Sequence, residues 1–168
     1  NRVLGSGVGD NTLLQINPTH DDWPQWVPFV LAHEYHHAVW GYNYFAVKGR
    51  SSMDLLTGLI IDGQADSFAR MLYPQMRPSW IEALTPLQEA EQWAAMQPYL
   101  HGDDGTAYVR FFFGDEASNT PACTAYTIGY RLVQAYLRAH SDMSVTDLLD
   151  LEAEAILANS GYCPKVGR

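Results

Sequence analysis

Hydrophobic residues recur at intervals of three and four positions along most of this chain, a spacing that is typical of amphipathic helices. The pattern predicts helices over about 26–45, 53–72, 86–96, 124–140 and 152–158, with a short helix that Ser144 begins. Thr85 and Gln88 have the spacing of a capping box at the start of the third helix. We therefore expect most of the chain to be helical.

The N-terminal part departs from this pattern. Residues 1–11 are rich in Gly, Asn and Ser and are predicted to form a loop. Residues 12–17 form a short strand-type run that Pro18 ends. Such a strand could lie near a cleft and pair with an extended substrate by strand addition.

The predicted fold class is mainly α (α+β), with a small sheet at the N-terminus. Residues 101–122 are expected to be mostly irregular, with a buried apolar segment at 108–113. We expect one domain over 1–168, with a β-containing part over about 1–25 and a helical part over about 26–168.

Composition narrows the classes of function. The 168 residues are 47% hydrophobic and 17% charged, with a formal net charge of −9, as in a folded and soluble protein. An acidic chain without a basic run is a poor binder of nucleic acid. No apolar run is long enough to cross a bilayer. The compartment, cytoplasmic or exported, and the oligomeric state stay open.

The two cysteines, Cys123 and Cys163, do not lie in a C-x-x-C motif, which excludes a zinc ribbon. They could form a disulfide that closes a loop of about 40 residues and stabilises the fold by a few kcal/mol. Two free thiols are nearly as well supported. The turn-rich flanks of both cysteines slightly favour the disulfide.

The motif H-E-x-x-H occurs within the first predicted helix, as His33, Glu34 and His37. Histidines four residues apart on a helix project from one face, where they can bind one zinc ion. Glu34 can act as a general base on a water bound by that zinc. The alternative is a helix with two histidines and no metal.

A third ligand is expected on the next predicted helix. Asp62 lies 25 residues after His37, so the second helix can fold back antiparallel to the first and bring this carboxylate to the histidines. Asp66, one turn later, can accept a hydrogen bond from a zinc-bound imidazole. Both acids lie in an apolar segment, where a charged group needs a partner.

Three segments of this chain resemble a bacterial family of predicted zinc-dependent proteases, once classified as a domain of unknown function and similar to the gluzincin metallopeptidases. The segments are 32–37, 58–66 and 126–133, and the likeness extends over about 13–161. The resemblance implies a zincin-like metallopeptidase domain, in which the H-E-x-x-H helix lies beside an antiparallel ligand helix.

The resemblance also implies roles for particular residues. His33, His37 and Asp62 would bind Zn²⁺, Glu34 would be the general base, and Asp66 would orient a zinc-bound histidine. The family carries Glu where this chain has Asp62. Because Asp is one methylene shorter, we expect either a closer approach of the second helix or a weaker affinity for the metal.

A zinc-activated water attacking a peptide carbonyl is the expected chemistry, with a peptide or protein as substrate. A tyrosine O–H could donate to the oxyanion. Tyr126 and Tyr130 are the candidates, with Tyr130 preferred, and the alternative is that both are core residues. His36 lies beside the His33–His37 stripe and is expected to be structural.

Two other zinc-based functions compete with a peptidase, and an all-helical interaction domain without a metal is a further alternative. One is a catalytically silent zinc-binding domain that binds a partner on the same scaffold. The other is a zinc amidohydrolase that acts on a small substrate. An open cleft several residues long would favour the peptidase, and a small closed pocket would favour the amidohydrolase.

Overall fold

A computed structural model describes residues 2–8, 11–102 and 104–164 of this protein. It is mainly helical with one two-stranded antiparallel sheet, which confirms the predicted fold class. The strands are β1 (Val3–Val8) and β2 (Asn11–Ile16). The α-helices are α1 (Trp23–Gly41), α2 (Leu55–Leu72), α3 (Pro86–Met96), α4 (Gly105–Phe113), α5 (Thr124–Ala139) and α6 (Ala153–Ser160). In the part of the chain described, no helix has the length and apolar character needed to cross a membrane.

The β-hairpin corrects the prediction for the N-terminus. β1 pairs antiparallel with β2 from Val3 opposite Ile16 to Val8 opposite Asn11, so most of the predicted loop over 1–11 is a strand. Residues 1, 9 and 10 of that loop lie outside the described residues. The prediction missed β1 because Gly and Ser, which usually mark loops, occupy its centre.

Helix α1 begins three residues before its predicted start. Pro24 lies in the first turn, where a missing N–H costs nothing, and Pro28 is tolerated within the helix. Gly41 was expected to end or weaken the helix. Instead, the chain continues from Gly41 into a π-helix, Tyr42–Val47.

Three long helices form the framework. The contacts of His33 with Asp66 and of His37 with Asp62 show that α1 and α2 run antiparallel, as predicted. Helix α5 packs directly on α2, because a Cβ at Gly63 would lie 2.2 Å from the carbonyl oxygen of Gly129. The two helices therefore touch backbone to backbone.

The predicted irregular region over 101–122 contains α4, which is a further correction. Asp104 caps this helix by accepting a hydrogen bond from the Thr106 N–H, and Phe111 and Phe112 are fully buried. The prediction missed this helix because it has only nine residues and is flanked by Gly and Asp, which usually mark loops. Residue 103 of that region lies outside the described residues.

Two hydrophobic clusters hold the elements together. The larger cluster joins α2, α4, α5 and α6. The smaller one lies beneath the hairpin, where Val3 packs with Phe29 and Val30. Cys123 and Cys163 are both free thiols, so the slight preference for a disulfide was wrong. Cys123 is the N-cap residue before α5, whereas Cys163 is exposed after α6.

Candidate metal centre

The two histidines of the motif lie on one face of α1, as their spacing predicts. His33 Nε2 and His37 Nε2 are 2.9 Å apart, and the ring centroids are separated by 4.6 Å. Both side chains are partly buried between α1 and α2. The two nitrogens therefore point to one location rather than to separate hydrogen-bond partners.

Helix α2 brings the carboxylate of Asp62 to the same location. Its Oδ1 lies 3.7 Å from His33 Nε2 and 3.4 Å from His37 Nε2. Two ligands of a tetrahedral zinc, with bonds near 2.0–2.1 Å, lie roughly 3.3 Å apart. The three donor atoms are separated by 2.9, 3.4 and 3.7 Å, which are distances on both sides of this value. Two imidazoles with one carboxylate also form a common zinc ligand set. His33, His37 and Asp62 thus fit a zinc ion.

Asp66 orients His33 through a hydrogen bond from the ring nitrogen that does not face the other ligands. Its Oδ1 accepts a hydrogen bond of 3.0 Å from His33 Nδ1 and another of 3.0 Å from Trp80 Nε1. A hydrogen on His33 Nδ1 leaves Nε2 directed at His37 and Asp62. Asp66 is fully buried, so its carboxylate holds the ring in a fixed orientation.

The electrostatics of the centre favour positive charge. Burial alone would lower the pKa of His33, but the Asp66 and Asp62 carboxylates outweigh it and raise the pKa to about 10. Burial would raise the pKa of Asp62, but hydrogen bonds from His33 and His37 lower it to about 2. Two buried carboxylates beside two imidazoles thus stabilise a cation between them.

Glu34 faces a cavity of about 370 Å³ that also reaches His33. The cavity is mostly apolar, with walls from β1, α1, the 3-10 helix Ser79–Glu82, the end of α4 and the start of α5. Gly5 lies directly over Glu34, because a Cβ at Gly5 would lie 2.3 Å from both Cγ and Oε1 of Glu34. The motif glutamate is therefore confined beneath a glycine.

The edge of β1 runs along this cavity. Asn17 N–H donates to Arg2 C=O at 2.8 Å, which makes Arg2 and Asn17 a hydrogen-bonded pair. Because the pairing alternates, Val3 and Gly5 direct their backbone N–H and C=O groups away from β2. Val3, Leu4 and Gly5 line the cavity. The hairpin strand at the cavity is thus β1 rather than the predicted strand over 12–17.

The two candidate tyrosines lie in different places. Tyr126 lines the cavity with His33 and Glu34. Burial and the charge of Asp62 raise the pKa of Tyr126 well above its usual range, so its O–H is a stable donor. Tyr130 instead accepts a hydrogen bond of 2.6 Å from Arg70 Nη1 and lines a separate cavity. The geometry therefore favours Tyr126 as the oxyanion donor, rather than Tyr130, which was the preferred candidate from the sequence.

Some residues of the site have no local signal in the sequence. Tyr108 on α4 stacks on Phe112 at 4.2 Å, and burial together with the charge of Asp62 raises its pKa to about 12. Trp80, which holds Asp66, comes from a short 3-10 helix. Only the density of aromatic residues in 108–113 could have drawn attention to Tyr108.

His36 is buried beside this centre. Its ring centroid lies 5.8 Å from that of Phe68, and neither ring nitrogen has a hydrogen-bond partner among the described residues. Burial, followed by the neighbouring histidines, lowers the pKa of His36 to about 3, so the ring is neutral. This environment is that of a packing residue.

Comparisons with known proteins agree with this centre. The family described as "Predicted Zn-dependent protease (DUF2268)" matches residues 3–158. The "Uncharacterized protein YjfC" of Bacillus subtilis (strain 168) is 26% identical over 155 residues, which cover 87% of this chain and 50% of that protein. The chain thus spans about half the length of this curated relative. No solved structure matches the chain significantly. Because the family match covers nearly the whole chain, the protein belongs to the DUF2268 family of predicted Zn-dependent proteases.

Proposed function

We propose that this protein is a zinc metallopeptidase that hydrolyses peptide bonds. The observation that carries the proposal is the convergence of three donor atoms, His33 Nε2, His37 Nε2 and Asp62 Oδ1, beside the cavity that His33 and Glu34 line. The ligand set leaves one position of a tetrahedral zinc open, which is typical of catalytic rather than structural sites.

Each residue of the centre has a role in this proposal. A zinc ion held by His33, His37 and Asp62 would supply Lewis acidity, which acidifies water and polarises a carbonyl. Glu34 accepts the proton of the attacking water and passes it to the leaving amine. Asp66 holds His33 in the orientation that ligation requires. Tyr126 donates its O–H to the developing oxyanion.

The outer edge of β1, which no other described strand pairs with, supports a peptide as substrate. Val3 and Gly5 present backbone donors and acceptors along the cavity, so an extended peptide could pair with β1 as an added strand. Such pairing would bring the peptide past Glu34, which lies beneath Gly5. A small amide substrate is too short to form hydrogen bonds along this row of backbone groups.

The test combines metal content with hydrolysis of an unstructured protein such as casein. The wild type is expected to bind one zinc per chain and to cleave. E34Q should keep zinc and lose at least about 10³-fold in turnover, because it removes the base without changing the ligands. H37A should lose zinc and activity together.

The outcomes separate the peptidase from its competitors. A wild type that binds zinc but cleaves neither casein nor short peptides would be a silent zinc-binding domain. Cleavage of small amides without cleavage of peptides would identify an amidohydrolase. Full turnover by E34Q would remove Glu34 from the mechanism and overturn the proposal.

A further inference from the structure

Tyr130, which the metal centre does not use, lies at a second cavity. This cavity has a volume of about 380 Å³ and lies between the C-terminal half of α2, α5 and the residues before the 3-10 helix Val145–Asp150. None of its lining residues also lines the cavity at the metal centre, and none is Asp or Glu. A cavity without acids is unusual on a chain whose net charge is −9.

Arg70 gives this cavity its charge. Its Nη1 donates to the Tyr130 hydroxyl at 2.6 Å, and its Nε is buried without a hydrogen-bond partner among the described residues. By contrast, Arg2, Arg50, Arg77 and Arg131 each pair with a carboxylate, whereas Arg110, like Arg70, donates to a hydroxyl. Among the described residues the guanidinium of Arg70 thus has no carboxylate partner, and an anionic ligand could supply one.

The remaining walls combine neutral hydrogen-bonding groups with aliphatic surface. Ser67 accepts a hydrogen bond of 2.9 Å from Gln134 Nε2, which leaves Gln134 a second amide N–H. Leu137 and Met143 contribute apolar surface beside these groups. The walls therefore suit a ligand with one anionic group and a short aliphatic body.

We propose that this second cavity binds a carboxylate attached to an aliphatic body, with Arg70 as its charge partner. A planar guanidinium matches the geometry of a carboxylate. One cation suits one negative charge better than the two of a phosphate monoester. The carboxylate could belong to a free aliphatic acid or to the C-terminus of a peptide. This site is independent of the proposed peptidase activity.

The experiment follows the Arg70 Nε–H resonance of the ¹⁵N-labelled protein by NMR. N-acetyl-leucine is the probe for a peptide C-terminus, isovalerate is the probe for a free acid, and N-acetyl-leucinamide is the matched ligand without a carboxylate. The Arg70 resonance should move with a carboxylate and stay in place with the amide. Binding by isovalerate as tight as by N-acetyl-leucine would indicate a free acid as the ligand, and tighter binding by N-acetyl-leucine would indicate a peptide.

Two variants complete the test. R70Q, followed through the backbone amide resonances of the cavity residues Tyr130 and Gln134, should bind roughly tenfold or more weakly, as expected for loss of a charged hydrogen-bond partner. R77Q is the control, because Arg77 is exposed and pairs with Glu82 away from this cavity. A carboxylate bound at the metal centre would persist in R70Q and is thereby distinguished.

Three results would overturn the proposal. The first is an Arg70 resonance that no carboxylate moves, which needs no variant and so holds even if R70Q does not fold. The second is equal binding by R70Q and the wild type. The third is equal binding of N-acetyl-leucine and its amide, which would leave only an apolar cleft.

Discussion

Gly5 lies against the side chain of Glu34 and restricts its position. A methyl group at Gly5 would lie 2.3 Å from the Glu34 side chain, so G5A must displace either β1 or the carboxylate. Because proton transfer requires hydrogen-bond distances, we expect G5A to lower kcat on casein roughly 10²-fold or more. Zinc content should be unchanged, since the three atoms nearest to a Cβ at Gly5 all belong to Glu34 and not to a proposed ligand.

The control for G5A is G7A on the same strand. A Cβ at Gly7 would meet no atom of the described residues within 4 Å, so G7A should keep full activity. Equal loss of activity in G5A and G7A would mean that the strand needs glycine for its backbone rather than for Glu34. Full activity of G5A would contradict the confinement of Glu34.

Tyr126 and Tyr130 form a matched pair for testing the oxyanion donor. Tyr126 lines the cavity of Glu34, whereas Tyr130 bonds to Arg70 at the second cavity. We expect Y126F to lower kcat about 10²-fold with little change in KM, because the lost hydrogen bond forms chiefly in the transition state. Y130F should be nearly as active as the wild type. The reverse ranking in steady-state assays would return the role to Tyr130.

At the scale of residues, the sequence predicts which side chains meet where the pattern is local. His33 and His37 share a helix, and Asp62 could be selected because an acid in an apolar segment needs a partner; the structure places the three together. Gly5 and Tyr108 could not be found in this way. They reach the centre through the docking of β1 and α4, which no short-range spacing encodes.

At the scale of elements, the crossing of α2 and α5 depends on two glycines. A Cβ at Gly63 would lie 2.2 Å from the Gly129 carbonyl oxygen, and one at Gly129 would lie 2.2 Å from the Leu59 carbonyl oxygen. We expect G63A to lower the free energy of unfolding by about 3 kcal/mol, because two rigid backbones cannot move apart locally. Chemical denaturation followed by circular dichroism measures this change.

G41A provides the comparison for G63A within another helix. The nearest atom to a Cβ at Gly41, outside its own helical backbone, is 4.0 Å away. Alanine there should leave stability unchanged or raise it by about 0.5–1 kcal/mol through helix propensity. Similar destabilisation in both variants would show that helix packing at Gly63 is not the cause.

The helices and strands could be predicted only where the local sequence has the pattern typical of the structure it forms. Helices α2 and α5 are long and periodic, and the sequence predicted both ends to within about two residues. β1 and α4 were missed, since Gly and Ser in one and flanking Gly and Asp in the other resemble loops. Their structure comes from tertiary contacts, namely Val3 against α1 and Phe111 in the larger cluster.

For the whole molecule, metal binding should stabilise the fold. His33 and Asp62 belong to different helices, so a bound ion links α1 and α2. At a free zinc concentration about 1,000 times Kd, a ligand that binds only the native state adds about 4 kcal/mol. We expect zinc to raise the Tm of the chelated protein by roughly 8–16 °C in a calorimetric scan. D62A should show a much smaller rise, and an equal rise in D62A would place the ion elsewhere.

The free edge of β1 also affects how the molecule behaves at high concentration. Val3 and Gly5 present backbone groups that no other described residue pairs with, and Leu4 beside them is 46% exposed. An uncovered strand edge is a common starting point for intermolecular sheet formation. The same groups that could accept a peptide substrate thus make the protein prone to aggregation, and an occupied cleft should keep concentrated solutions clear for longer.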